Sequence, residues 1–294
     1  MRKIKLIYNS GAGQSKFKYF LDIILEKFME NNCDVSVFRI DKKTNLYEYL
    51  KDSEKEDIYA IVVAGGDGTI NRVVNVMLKN NINVPLGIIP AGTSNDFARH
   101  IKMPNNFSEC IDKILAGNIQ SVDVGKANDK YFINICSAGL FTNAPRNTDT
   151  KLKNVIGKLS YFVTAVKQAI IFRPFTARIE TDTQSIIEQI NLFLVFNGNT
   201  AGGIDLTQSQ SSIQDGLLDV VIIKKCKLSD ASVILGKILA GTFLEDKNVI
   251  YLKEKSLKIY RVKGKCDEPD VDGEPGLKFP LEITCVKKGL KMFL

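Results

Sequence analysis

Residues 58–64 read Ile-Tyr-Ala-Ile-Val-Val-Ala, followed by Gly65-Gly66-Asp67-Gly68-Thr69 and a stretch from Ile70 to Leu78. The first seven are a short apolar run rich in β-branched residues, as a strand buried on both faces requires. Beyond the glycines, apolar side chains recur at Ile70, Val73, Val74, Met77 and Leu78, the stripe of an amphipathic helix. Strand, tight turn and helix in that order commit this part of the chain to an α/β layer. Gly65, Gly66 and Gly68 let the backbone approach a ligand with no Cβ in the way. The N–H groups and positive dipole end of the helix then offer a seat for phosphate. Asp67, a carboxylate at such a seat, calls for a bridging cation, and Mg²⁺ is the obvious one.

The same unit recurs around it. Residues 3–8 form a strand-like run before the small-residue loop Asn9-Ser10-Gly11-Ala12-Gly13, and a helix follows with apolar residues at Phe17, Phe20, Leu21, Ile24, Leu25 and Phe28. A strand over 35–40, a short helix near 46–52 and a strand over 84–89 come next, the last ending at Pro90-Ala91-Gly92-Thr93-Ser94-Asn95-Asp96. This spacing predicts a mostly parallel sheet covered by helices. The loops at 9–13, 65–69 and 90–96 all follow carboxyl ends of predicted strands, the edge at which open α/β sheets bind ligands.

After about residue 121 the texture changes. Strand-like segments at 121–127, 130–137, 175–181, 190–197, 217–224, 256–262 and 279–286 are joined by turns, with helix-like stretches at 155–171 and 228–243. The expectation is an ATP-binding α/β domain over 1–122. A mostly antiparallel β-sandwich substrate domain follows over 123–294, its last strand a candidate to return to the first domain. The polar segments 143–154 and 199–215 have the character of lids.

Composition narrows the chemistry. Six cysteines are scattered without C-x-x-C spacing, as in reduced thiols of a cytosolic protein rather than a disulfide frame or zinc site. His100 is the single histidine, so acid–base work falls to carboxylates. The net charge of +7 attracts anions such as nucleotide phosphates or an anionic membrane surface, and no nucleic-acid module accompanies it. No run approaches the length of a membrane span. Neither a Walker A loop nor a G-x-G-x-x-G in the first βα turn is present, which argues against a dinucleotide-binding Rossmann domain.

Gly65 to Thr69, Pro90 to Arg99, Asp215-Gly216-Leu217-Leu218-Asp219 and Asp272-Gly273-Glu274 together resemble the signature of the diacylglycerol kinase catalytic family, most closely its soluble bacterial lipid kinases. The four stretches stand in the family's order and spacing, so the resemblance covers essentially the whole chain. It implies a fold shared with NAD kinases and an ATP- and Mg²⁺-dependent transfer of the γ-phosphoryl group to a lipid hydroxyl. The acceptor expected from it is diacylglycerol, giving phosphatidic acid. ATP contacts are implied at Asn9, Ser10, Gly11, Ala12, Gly13, Gly66, Asp67, Gly68, Thr69, Ile70, Asn71, Arg72 and Thr93. Asp67 would belong to an acidic network holding the catalytic Mg²⁺. Asp215 with the carbonyls of Ser212 and Leu217 would hold a structural Mg²⁺.

The Asp272-Gly273-Glu274 motif would supply the general base, either Asp272 or Glu274. A threonine that commonly follows the family's second strand is replaced near Ile40-Asp41, and that nucleotide contact is in doubt. Asn95 and Asp96 suit either loop-orienting hydrogen bonds or a helix N-cap. The implied partner is a membrane lipid met peripherally at an anionic surface, with a homodimer as the default assembly. Two other readings stand beside this one: a NAD kinase, opposed by Pro90 to Arg99, and a non-catalytic nucleotide- or lipid-binding regulator, opposed by Asp67, Asp272 and Glu274 occurring together.

Overall fold

The structure, a computed structural model, describes residues 1–9, 17–41, 43–139, 174–198, 200–201, 204–205, 212–240, 242–266 and 268–294. Two compact units emerge: Met1–Asp123 together with Lys288–Leu294, and Val124–Lys287. The expected helix at 155–171 and the segment 143–154 lie outside the described residues.

In the first unit the strands are β1 (Arg2–Asn9), β2 (Cys33–Ile40), β3 (Ile58–Gly65) and β4 (Leu86–Pro90), all parallel in the order β2-β1-β3-β4. The helices are α1 (Leu21–Glu30), α2 (Leu46–Leu50), α3 (Asp67–Lys79), α4 (Asp96–His100) and α5 (Phe107–Leu115). Residues 60–65 of β3 are buried without interruption, which demands cover on both faces of the sheet. Helix α1 packs with α5 and α2 with α3, and α3 buries Ile70, Val73, Val74 and Met77 from the stripe read in the sequence. Helix α5, which the sequence reading passed over, carries the same spacing at Phe107, Cys110, Ile111 and Ile114. Asn106 caps it, its side-chain oxygen accepting from the N–H groups of Ser108 and Glu109.

The strand order places a topological switch point between β1 and β3, because the chain steps from β1 outward to β2 and then back across to β3. Loops leaving adjacent parallel strands in opposite directions open a crevice at their carboxyl ends, where such sheets bind ligands. Asn9 ends β1 and Gly65 ends β3, so the two strand ends from which candidate loops leave flank that crevice.

The second unit is built on antiparallel strands: the end of β5 (Ile119–Ala127), β6 (Lys130–Phe132), β7 (Ile135–Ala138), β8 (Phe175–Thr181), β9 (Ser185–Phe196), the short pair β10 (Thr200–Ala201) and β11 (Ile204–Asp205), then β12 (Leu218–Lys224), β13 (Val249–Glu254), β14 (Ser256–Lys263), β15 (Asp270–Val271) and β16 (Glu274–Pro275). Strand β17 (Leu281–Phe293) starts in this unit beside β14 and ends in the first unit, where Met292 pairs with Leu86 of β4 in parallel. The long β9 organises the second unit by pairing with β7, β8 and β12. Its Phe193 and Val195 enter one apolar core with Phe132, Phe175 and Ile259. Leu192, Leu194 and Phe196 enter another, closed by Ile234 and Ile238 of α6 (Leu228–Ala240) and by Phe243. The period-2 alternation of a strand thus serves two layers at once. The expected strand 130–137 is broken at Ile133-Asn134, for a reason that lies in the hairpin of β15 and β16.

Candidate active site

At the switch point the loops after β3 and β4 touch backbone to backbone. A Cβ placed on Gly66 would lie 3.1 Å from the Gly92 Cα, and one on Gly92 would lie 2.4 Å from the Gly66 Cα. The Ala91 N–H donates to the Gly65 carbonyl at 3.0 Å. Asn95 holds the Gly92 residue at both its polar groups: its Oδ1 accepts from the Gly92 N–H at 2.8 Å, and its Nδ2 donates to the Gly92 carbonyl at 3.1 Å. Asn95 itself sits in the left-handed region at φ 52 and makes no capping bond to α4. Of the two uses open to it, the loop-orienting one is seen.

Asp67 opens α3, and its Oδ1 accepts from the Phe97 N–H at 3.0 Å, which ties the second loop to the start of α4. The Asn9 Nδ2 donates to the Thr69 Oγ1 at 3.2 Å, bringing the end of β1 to the start of α3. The N–H groups of Asp67 and Gly68, in the first turn of α3, have no intrahelical acceptor, and the space a Gly68 Cβ would fill is open.

Replacing Asn95 with alanine removes both partners of Gly92 and puts in the left-handed region a residue without the local polar bonds that let asparagine occupy it. Each lost hydrogen bond is worth about 1 kcal/mol and the backbone strain about another 1 kcal/mol. Urea unfolding of N95A is therefore expected to give a loss of about 2–3 kcal/mol, and a loss under about 0.5 kcal/mol would show that Asn95 does not hold the loop.

The other residues implied as nucleotide contacts divide. Ile70 is fully buried, its N–H donates to the Gly66 carbonyl, and Asn71 is buried with its Oδ1 accepting from the Asn75 Nδ2. These two side chains serve the helix and its packing. Arg72 donates through both terminal nitrogens to the carbonyls of Asp41 and Thr44, anchoring the loop after β2 on α3. In that loop the Asp41 Oδ1 accepts from the Thr44 hydroxyl and from the N–H groups of Lys43 and Thr44, and the hydroxyl bond foremost holds its carboxyl below the usual carboxylate range. Thr93 is exposed beside Gly92. Ser10, Gly11, Ala12 and Gly13 lie outside the described residues.

Asp272 and Glu274 lie in the second unit, on the hairpin of β15 and β16, and the structure gives them different work. Asp272 at φ 49 and Gly273 at φ 82 form the two-residue turn, both left-handed as the tight hairpin type demands. The Asp272 carboxylate accepts from the Ile133 N–H at 2.9 Å, the Asn134 N–H at 3.0 Å and the Ile135 N–H at 2.8 Å, while its own N–H donates to the Ile135 carbonyl. Three amides converging on one carboxylate break the strand between β6 and β7. Glu274 is exposed, and among the described residues its carboxylate has no hydrogen bond or ion pair. Of the two carboxylates, Asp272 is a structural fixture and Glu274 is the one left exposed.

Asp215 accepts from the Leu217 N–H at 3.0 Å through Oδ1 and pairs with the Lys253 ammonium at 3.5 Å through Oδ2, and Lys253 also stands 3.9 Å from the buried Asp219. Ser212 lies three residues before it, its Oγ accepting from the Gln214 N–H. Leu217 turns its N–H to Asp215, and a divalent cation at this turn would compete with Lys253 for the carboxylate. Among the described residues no group of three or more His, Cys, Asp and Glu side chains could hold a metal ion.

Family models match along nearly the whole chain: a diacylglycerol kinase catalytic domain over residues 3–127, and a YegS C-terminal NAD kinase beta sandwich-like domain over residues 134–294. A diacylglycerol kinase of Bacillus subtilis (strain 168) is 32% identical over 285 residues, covering 97% of this chain and 93% of its own. The chain belongs to the diacylglycerol kinase family. A diacylglycerol kinase of Staphylococcus carnosus (strain TM300) is 30% identical, with 99% and 95% of the two chains covered. The crystal structure of a diacylglycerol kinase from Bacillus anthracis str. Sterne is 27% identical and superposes with a TM-score of 0.82, covering 99% of this chain and 96% of that one. Membership makes the chain an enzyme, a kinase that phosphorylates a hydroxyl acceptor, built as an α/β domain followed by a mostly antiparallel β-sandwich.

Two buried acids, one on β5 and one on β15, were not singled out from the sequence. Asp123 is wholly buried and accepts from the Lys288 N–H at 2.7 Å. Asp270 is buried two residues before Asp272, and burial raises its carboxyl above the usual range. A buried acid is visible only in three dimensions, since a strand of alternating residues gives the same letters whether its polar side faces solvent or protein.

Proposed function

We propose that the chain transfers the γ-phosphoryl group of ATP to the hydroxyl of a membrane lipid, diacylglycerol first among them, to give phosphatidic acid. The observation that carries this reading is the Gly66–Gly92 approach at the switch point. Two loops without side chains there leave a surface of backbone at the amino end of α3, suited to a triphosphate. The names of the relatives supply the lipid. The first-turn amides of Asp67 and Gly68 and the dipole of α3 hold the phosphates. Asn95 and the Asp67–Phe97 bond keep the loops in place.

Mg²⁺ fits this setting, since it is commonly held by one or two carboxylates together with phosphate oxygens and water rather than by a cage of protein ligands. Asp67 would hold it, one of its oxygens already fixed by the Phe97 N–H. When bound, the ion screens charge on the phosphates that an attacking hydroxyl must approach. Glu274 takes the proton of the lipid hydroxyl as the oxygen–phosphorus bond forms and the bond to the departing ADP breaks. A carboxylate suffices because phosphoryl transfer depends mainly on positioning and charge stabilisation. The net charge of +7 supports contact with an anionic membrane surface, each near-surface Lys or Arg contributing about 1 kcal/mol. Among the described residues no helix is long and apolar enough to cross a membrane.

The test is an acceptor panel. The protein is incubated with [γ-³²P]ATP, Mg²⁺ and, separately, mixed micelles of diacylglycerol, phosphatidylglycerol or a sphingoid base, and NAD in solution. Label is expected in the diacylglycerol arm as phosphatidic acid. Label in NAD alone would replace the lipid by a soluble acceptor, and ATP binding without transfer in any arm would make the chain a regulator.

A further inference from the structure

Asp270 has no part in the chemistry proposed above, yet it is the most deeply buried acid on the hairpin that carries Glu274, 7% exposed. Its Oδ2 accepts from the Ser137 hydroxyl on β7 at 2.5 Å, and its Oδ1 accepts from the Gly273 N–H at 3.2 Å. Gly273 directly precedes Glu274. The hairpin itself is slight: β15 and β16 pair only through Asp270 with Pro275 and Val271 with Glu274, and a ribbon that short has little stability of its own. Its outer attachments include the pairing of Asp270 and Val271 with Ser137 and Cys136 of β7, the three amides gathered by Asp272, the Asp272 N–H to the Ile135 carbonyl and the Lys130 ammonium on the Pro275 carbonyl.

We propose that Asp270 is the positioning residue for Glu274: with Ser137 it forms a buried latch that fixes the turn amide next to the base. The inference rests on Glu274 being the proton acceptor. The latch uses one acceptor toward Gly273 and one polar contact with a hydroxyl. It does not use a charge: Ser137 is neutral, and the Lys130 ammonium that reaches the hairpin donates to the Pro275 carbonyl, not to Asp270. An amide of the same shape can therefore replace the acid, its oxygen accepting from Gly273 and its nitrogen donating to the Ser137 oxygen. A side chain that does neither lets the turn shift, and a displacement of about 1 Å at a reacting group costs about 100-fold in rate.

Four variants, D270N, D270A, S137A and E274Q, test the latch. Each is assayed for kcat and nucleotide KM at a temperature at which circular dichroism shows it folded. D270A is expected to lower kcat about 10- to 100-fold with the nucleotide KM unchanged, D270N to keep kcat within about threefold of the parent, and S137A to fall between them. D270N as inactive as D270A would overturn the proposal, because the carboxylate would then act chemically. D270A or S137A with full kcat would overturn it as well. If D270A does not fold, S137A decides, with S137T expected to restore the rate through its retained hydroxyl. E274Q separates the two levels: full activity there removes Glu274 as the base, whereas an inactive E274Q beside a fully active D270A removes the latch alone.

Discussion

Glu274→Gln is expected to lower kcat by about 100- to 10,000-fold, the usual contribution of a positioned general base, while the melting temperature and the nucleotide KM stay those of the parent. The stability follows from the surroundings of Glu274: an exposed carboxylate with no hydrogen bond or ion pair among the described residues has nothing to lose on becoming an amide. Asp272→Asn makes the contrast. Its carboxylate gathers three N–H groups, and an amide nitrogen facing one of them is a donor facing a donor. Leaving that group unsatisfied costs about 1–3 kcal/mol, so D272N is expected to lose stability together with activity. Equal melting temperatures for D272N and the parent, or undiminished kcat in E274Q, would contradict the division of labour assigned to the two carboxylates.

A pair of glycine substitutions has the next largest expected effect. A Cβ on Gly92 would stand 2.4 Å from the Gly66 Cα and 2.7 Å from the Asn95 Oδ1. One of those atoms is backbone, so relief requires the two loops to part. Gly92→Ala is expected to cost about 1–3 kcal/mol, the range of overpacked sites, and to weaken nucleotide binding more than tenfold. At Gly68 a Cβ meets nothing within 4 Å, and the residue lies in α3, where alanine gains about 0.5–1 kcal/mol over glycine. Gly68→Ala is accordingly expected to be as stable as the parent or more so, and still to bind nucleotide less well, because the open space beside it is where phosphate would sit. Calorimetric titration with ATP alongside thermal melts checks both. A Gly68→Ala protein with parental affinity would move the phosphates away from the start of α3.

Much of this was legible in the letters because it depends on neighbours in sequence. β3 and α3 announce themselves by an apolar run and a 3.6-residue stripe, and both appear where expected. The glycines of both loops were legible in the letters, but the approach of Gly66 to Gly92 was not, because it joins two loops distant in sequence. The less legible parts depend on partners far along the chain. Asp272 splits the strand expected over 130–137 from about 140 residues away, and no local pattern in Ile133-Asn134 reveals it. The resemblance implies an ATP contact at Arg72, and its guanidinium is bonded to the carbonyls of Asp41 and Thr44, a link from α3 to the loop after β2 that no local pattern announces. The choice between Asp272 and Glu274 stayed open for the same reason: both letters are acids, and only the amides gathered around one distinguish them. β13, which the sequence reading passed over, shows the limit from another side, for its run Val249 to Glu254 is too short and mixed to stand out without β12 beside it.

The central claim is that the chain moves a phosphoryl group from ATP to a lipid hydroxyl, and ³¹P NMR of the protein with ATP, Mg²⁺ and diacylglycerol in mixed micelles tests it most directly. A phosphomonoester resonance of phosphatidic acid that grows in step with ADP is expected. ATP left intact, or ADP accompanied only by inorganic phosphate, would contradict it.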